Sequence, residues 1–149
     1  MKKFKKQMNR DLENACTAYE MAVKDGGFSL DGNMKAPSTG YMVGGVAEEM
    51  QAPLENTDEC LCAIMYMWRM RDMVEQFREE QTWLVRAEVY VGGWVEEDEH
   101  GVKKLVLDIS ENWARLEDAM VMARHRKERA IYDVTAGKSL YVKDHKFKS

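Results

Sequence analysis

From residue 83 to residue 91 apolar and polar positions alternate: Trp83, Val85, Ala87, Val89 and Val91 fall on one side, Arg86, Glu88 and Tyr90 on the other. Period two marks a strand with one buried face. Gly92-Gly93-Trp94 is expected to turn the chain, and the polar run from Glu96 to Gly101 to form a hairpin tip. Val102 to Ile109 then returns as a strand, with Leu105, Leu107 and Ile109 buried and Val106 and Asp108 on the other face. The period next changes. Leu116, Ala119, Met120 and Ala123 recur at helical spacing, predicting a helix from about Ala114 to His125. Ser110 or Asn112 is its expected cap, with Glu117 and Asp118 at its positive end and Arg124 near its carbonyl end. Arg129 to Val134 and Ser139 to Val142 read as strands joined by a turn at Thr135-Ala136-Gly137-Lys138.

Upstream, Phe4, Met8, Leu12, Ala15, Tyr19 and Ala22 define an amphipathic helix from about Lys3 to Lys24, stopped by Asp25-Gly26-Gly27. Phe28 to Leu30 and Gly40 to Val46 are short β-like pieces, expected to form a hairpin over 26–46 or to join the edge of the main sheet. Pro53 marks a break, and Asn56 or Thr57 begins a second long helix reaching about Glu80. Leu61, Ile64, Met65 and Trp68 give it one apolar stripe, which Tyr66, Met67, Met70, Met73, Val74 and Phe77 widen to about half the circumference. Methionine-rich surfaces adapt to partners, although a central core helix or a homodimer seam is the simpler reading. The expected whole is one α+β domain over 1–149: an N-terminal helix (1–25), a hairpin (26–46), a Met-rich helix (56–80) and a sheet-plus-helix core (83–143). Its sheet should be small and mostly antiparallel, with about four to six strands and amphipathic helices packed on it.

Composition narrows the class. At 149 residues, with 45% hydrophobic and 32% charged residues, the chain can bury a core without disulfide or metal staples. No apolar run approaches the roughly 20 residues that cross a bilayer. The basic start, Lys2 to Lys6, leads into polar residues instead of an apolar segment, so a cytoplasmic location is expected. Lysines gather at both ends, including Lys143, Lys146 and Lys148, while Glu48, Glu49, Glu55, Asp58 and Glu59 gather in the middle. The net charge of −4 is too small for an acidic mimic of DNA, and nucleic acid is not the expected partner.

Signatures of chemistry are mostly missing. Gly137-Lys138-Ser139 resembles the end of a phosphate-binding loop, but Tyr132 stands where the first glycine is required and a strand follows instead of a helix. Cys60 and Cys62 are separated by one residue, which points them to different sides of a helix; Cys16 and the histidines His100, His125 and His145 are scattered. No cofactor, metal site or catalytic residue is therefore expected. Asp108 and Asp133 each lie near a strand end, where two carboxylates can hold a divalent cation, although turn and helix capping is the commoner use. Tyr41, among Gly40, Gly44 and Gly45, and Trp94, after Gly92 and Gly93, combine aromatic walls with backbone that a planar ligand can approach.

Gly93-Trp94, Leu107-Asp108-Ile109-Ser110, Leu116-Glu117-Asp118-Ala119 with Ala123-Arg124, Ala130-Ile131-Tyr132-Asp133, and Gly137 with Leu140-Tyr141-Val142 together resemble a domain recurring in phage and mobile-element proteins. Gly26-Gly27-Phe28 and Gly40-Tyr41-Met42-Val43 fit the same pattern, which covers about two thirds of the chain. The resemblance implies a small accessory protein in the bacterial host cytoplasm, and it carries no catalytic residue with it. Combined with the wide apolar helix, it makes binding to a host or anti-phage defence protein, through Met67, Met70, Met73 and Phe77, the leading expectation; a homodimer is the other use of that face. A nucleotide or signal-molecule binder using Tyr41, Gly92, Gly93 and Trp94 is the alternative, and a metal-dependent nuclease-like enzyme using Asp108 and Asp133 the third.

Overall fold

The computed structural model describes residues 2–81 and 87–142. Trp83, Val85 and Arg86 of the expected strand, and the tail with Lys143, His145, Lys146 and Lys148, lie outside the described residues. Three helices and seven strands follow in the order α1 (Lys2–Asp25), β1 (Gly27–Leu30), β2 (Tyr41–Val43), β3 (Met50–Pro53), α2 (Thr57–Glu80), β4 (Glu88–Glu97), β5 (Lys103–Trp113), α3 (Leu116–His125), β6 (Ala130–Asp133) and β7 (Lys138–Tyr141). This is the α+β fold, a helix-packed antiparallel sheet, with more strands than the four to six expected. Among the described residues no helix is long and apolar enough to cross a membrane.

The sheet is built around β5. On one side it pairs with β4 along its length, from Glu97↔Lys103 to Glu88↔Asn112, and β1 extends the sheet beyond β4. Its other side is shared by two strands in succession: β3 against Lys104 to Leu107, and β2 against Glu111 to Trp113. β6 and β7 continue outward from β2. Of the two arrangements expected over 26–46, the hairpin does not form, since β1 and β2 never pair; β1 joins the edge of the main sheet beside β4, while β2 lies inside it between β5 and β6. Between β2 and β3 the edge beside β5 is interrupted. There the connecting loop crosses, with Val46 N–H donating to Ile109 C=O at 3.2 Å and Gly45 N–H donating to the Asp108 carboxyl.

Alternation along β5 separates two faces. Leu105, Leu107 and Ile109 turn to a core formed with Ala15, Ala18 and Ala22 of α1 and Cys60, Ala63, Ile64 and Met67 of α2. The small alanines let α1 approach closely, and Tyr19 ties it down by donating to Leu54 C=O at 2.7 Å. Val43 and Ile131 meet Ala119 and Ala123 of α3 in a second cluster on the same face. α2 starts at the expected cap, Asn56, whose side chain accepts from Glu59 N–H at 3.1 Å.

Two expectations about β4 and β5 are corrected. Gly92-Gly93-Trp94 makes no turn, and β4 runs straight through it. A Cβ on Gly93 would lie 2.5 Å from the Phe28 ring, so this glycine makes room for the Phe28–Trp68 stack; the actual turn uses Asp98, whose carboxylate accepts from His100 and Val102 N–H, and Gly101 at positive φ. Nor do Ser110 and Asn112 cap α3. Both are paired within β5, Ser110 with Tyr90 of β4 and Asn112 with β4 on one side and β2 on the other, and the α3 cap is Arg115 with no side-chain bond.

Candidate functional site

The even-numbered residues of β5 turn away from the helices. Val106, Asp108 and Ser110 lie in register with Trp94, Gly92 and Tyr90 of β4, and Gly27 and Ser29 of β1 continue the rows. This face holds a groove of about 840 Å³, with Trp94 and Tyr132 among its walls and Asp108, Ser110, Gly44 and Glu128 also lining it. The volume suits a small organic molecule.

Asp108 stands opposite the interruption in the neighbouring strand, and glycines close around it. A Cβ on Gly92 would lie 3.1 Å from its Oδ1, and one on Gly44 only 2.4 Å from its Oδ2 and 3.2 Å from Glu128 Oε1. Gly45, at φ +80°, would bring a Cβ within 2.7 Å of Glu128 Oε2. The two carboxyl groups thus meet against Gly44, where a side chain would collide with both. Burial, then Glu128 and Glu49, push the Asp108 carboxyl up to about 7, against a lowering by the Gly45 N–H. Burial and Glu49 also raise Glu128, while Arg126 pulls it the other way. Neither carboxyl has an ion-pair partner within 4 Å among the described residues. Beside them Ser110 is 7% exposed, and its hydroxyl has no hydrogen-bond partner among the described residues.

The nearest guanidinium is committed elsewhere. Arg126 donates to Glu111 Oε1 at 2.6 Å and to Gly44 C=O at 3.3 Å. Glu111, on the helix side of β5 between the two apolar clusters, also accepts from Arg78 at the end of α2 and from Trp113 Nε1 at 3.0 Å. This buried Arg-Glu-Arg group joins α2, β5 and the segment after α3. Sequence reading passed over Glu111 and Glu128, although Glu111 was open to notice: it continues the parity of Leu105, Leu107 and Ile109, so it is a charge at a core-facing position.

The residues singled out from sequence are separated by sheet parity. Gly92, Gly93 and Trp94 line the groove, with Trp94 Nε1 donating to Glu96 at 3.0 Å. Tyr41 is paired with Trp113 and packs toward α3 on the opposite face, so it does not join Trp94. Asp133 shares the Tyr41 row, and its carboxylate accepts from Ala136 N–H at 3.1 Å, a turn role on the face away from Asp108. Among the described residues no three His, Cys, Asp or Glu side chains form a group suited to a metal ion. On α2, Met67 is 1% exposed and belongs to the core, Met70 packs partly against it, and Met73 and Phe77 are exposed. The buried Met67 is therefore not a surface residue, in contrast to its expected place in an interface.

No family model, curated protein or solved structure matches the chain.

Proposed function

We propose that the protein binds, and so sequesters, a small organic molecule in the groove on the helix-free side of the sheet. One observation carries this reading: a groove of ligand size that holds the buried Ser110 hydroxyl and the half-buried Asp108 carboxyl, neither with an ion-pair or side-chain hydrogen-bond partner among the described residues. Buried polar groups in folded proteins are nearly always satisfied, and a ligand supplies what is missing. Trp94 provides an aromatic wall for a planar ring. Native mass spectrometry of the protein with nucleosides, nucleotides and flat aromatic cations is expected to show one bound molecule of a few hundred daltons with at least one class, and Trp94→Ala to remove it. No adduct with any class would sink the reading.

A protein partner is the second reading, namely inhibition of a host or anti-phage defence protein. It is favoured by Tyr66, Met70, Met73 and Phe77, which follow one another at spacings of four, three and four along the outer side of α2; Tyr66, Met73 and Phe77 are each more than half exposed. The double variant Met73→Glu, Phe77→Glu should keep the wild-type circular dichroism and melting behaviour while losing a stoichiometric partner seen in pull-downs from bacterial lysate. A wild-type protein that recovers no partner speaks against this reading.

A further inference from the structure

Every charged side chain lining the groove among the described residues is acidic: Asp25, Asp108 and Glu128. Arg126, close enough to influence Glu128, is already engaged by Glu111 and the Gly44 carbonyl. A phosphate entering the groove would meet carboxylates, without the basic side chains that anchor nucleotides. The geometry at Asp108 points to an opposite preference. Glycines stand beside both of its oxygens, Gly92 near Oδ1 and Gly44 near Oδ2, and leave both open to approach; the Gly45 N–H uses one lone pair of the carboxyl, and each oxygen can accept more than one donor. Ser110 adds a buried hydroxyl on the same row, two residues along β5.

Resting on the groove as a ligand site, we infer that its ligand is a planar organic cation, an amidinium, a guanidinium or a protonated amino-heterocycle. The charged N–H edge sits between Asp108 and Glu128, with the Ser110 hydroxyl beside it, and the flat body lies along Trp94. A planar fork of N–H donors matches the two oxygens of a carboxylate, as arginine does in proteins. The cation also offsets the repulsion between the two carboxyls, which in the free protein is relieved by keeping a proton. Binding and deprotonation of Asp108 are therefore linked. The groups facing Asp108 are Glu128 from the α3–β6 segment, Glu49 and the Gly45 N–H from the β2–β3 loop, and the neutral Gly92 and Ser29 from β4 and β1, with Arg126 acting on Glu128.

Benzamidine, a flat aromatic cation at neutral pH, is the probe, titrated into the full chain by calorimetry at pH 8 and pH 5.5 with ATP and inorganic phosphate as anionic controls. Binding is expected at pH 8 and should be about tenfold or more weaker at pH 5.5, where Asp108 is protonated. Asp108→Asn and Glu128→Gln should each weaken it by about tenfold at pH 8 and flatten the pH dependence, with circular dichroism confirming the fold. Benzamidine binding that both substitutions leave unchanged overturns the inference. ATP or phosphate binding that depends on Trp94, with no benzamidine binding, overturns it too while leaving the groove as a ligand site. If no probe of either charge binds, the ligand-site reading falls and the inference with it.

Discussion

Glu111→Gln is expected to lower stability by about 3–5 kcal/mol, the usual cost of breaking a buried charge pair, and so to lower the melting temperature by roughly 6–20 °C. Glutamine keeps the volume and can still accept from Trp113, so little of the loss comes from packing. What remains is two guanidinium groups, Arg78 and Arg126, held in a largely buried site with their shared carboxylate gone. Burial already pulls both below the usual guanidinium value, and the nearby Arg126 adds to the lowering of Arg78. The effect should reach across the molecule, since Arg78 closes α2 by donating to Ala87 C=O at 3.3 Å and Arg126 holds the Gly44 carbonyl at the groove edge. Thermal melts of the single variant and of a triple variant with methionine at positions 78, 111 and 126 separate the two contributions. The triple variant should recover most of the loss, because an apolar replacement of all three partners leaves no charge unpaired.

Asp108→Asn, by contrast, is expected to stabilise the protein at pH 8 and to change little near pH 4. The folded-state value is raised from the ordinary 3.8 to about 7. Between those values the folded chain keeps a proton that the unfolded chain has released, so the unfolded state binds fewer protons and stability falls as pH rises. The penalty begins near pH 4, is complete above about pH 7, and amounts to as much as about 4 kcal/mol. Asparagine copies the neutral carboxyl, can still accept from the Gly45 N–H, and carries no charge to desolvate. Chemical denaturation at a series of pH values should therefore give curves that coincide at pH 4 and diverge upward to pH 8. Parallel curves would mean that Asp108 titrates as an ordinary surface carboxylate. A residue that costs stability in its charged form is typical of a site shaped for binding.

Local signals carried much of the secondary structure. The spacing of Ala15, Tyr19 and Ala22, the cap at Asn56 and the turn at Gly137 each depend on neighbours in sequence, and α1, α2 and the β6–β7 hairpin followed from them. What could not be read depends on partners far along the chain. Gly92-Gly93 looks like a turn until Phe28 is placed over Gly93. Ser110 and Asn112 look like caps until β4 pairs with both and β2 with Asn112. Tyr41 and Trp94 share a local character, but they sit on strands whose registers are set by pairing with β5, and that pairing sends them to opposite faces. Asp108 was legible as an interesting carboxylate, though with the wrong companion. Its neighbour Glu128 comes from the segment after α3 and has no periodic or motif signal of its own.

Because β5 is the common partner, the order in which the chain is made bears on how it folds. β1, β2 and β3 leave the ribosome before the strands they need, and Gly27 cannot meet Trp94, nor Tyr41 meet Trp113, until those later residues have emerged. At about 5–20 residues per second that wait is on the order of 3–13 s, long compared with the folding of a finished domain of this kind. For that interval α1 and the short strands have apolar residues and no sheet to cover them. The pairing of β1, β2 and β3 is thus deferred until β4 and β5 have been made, and the apolar faces of the first half stay without their sheet partners for as long.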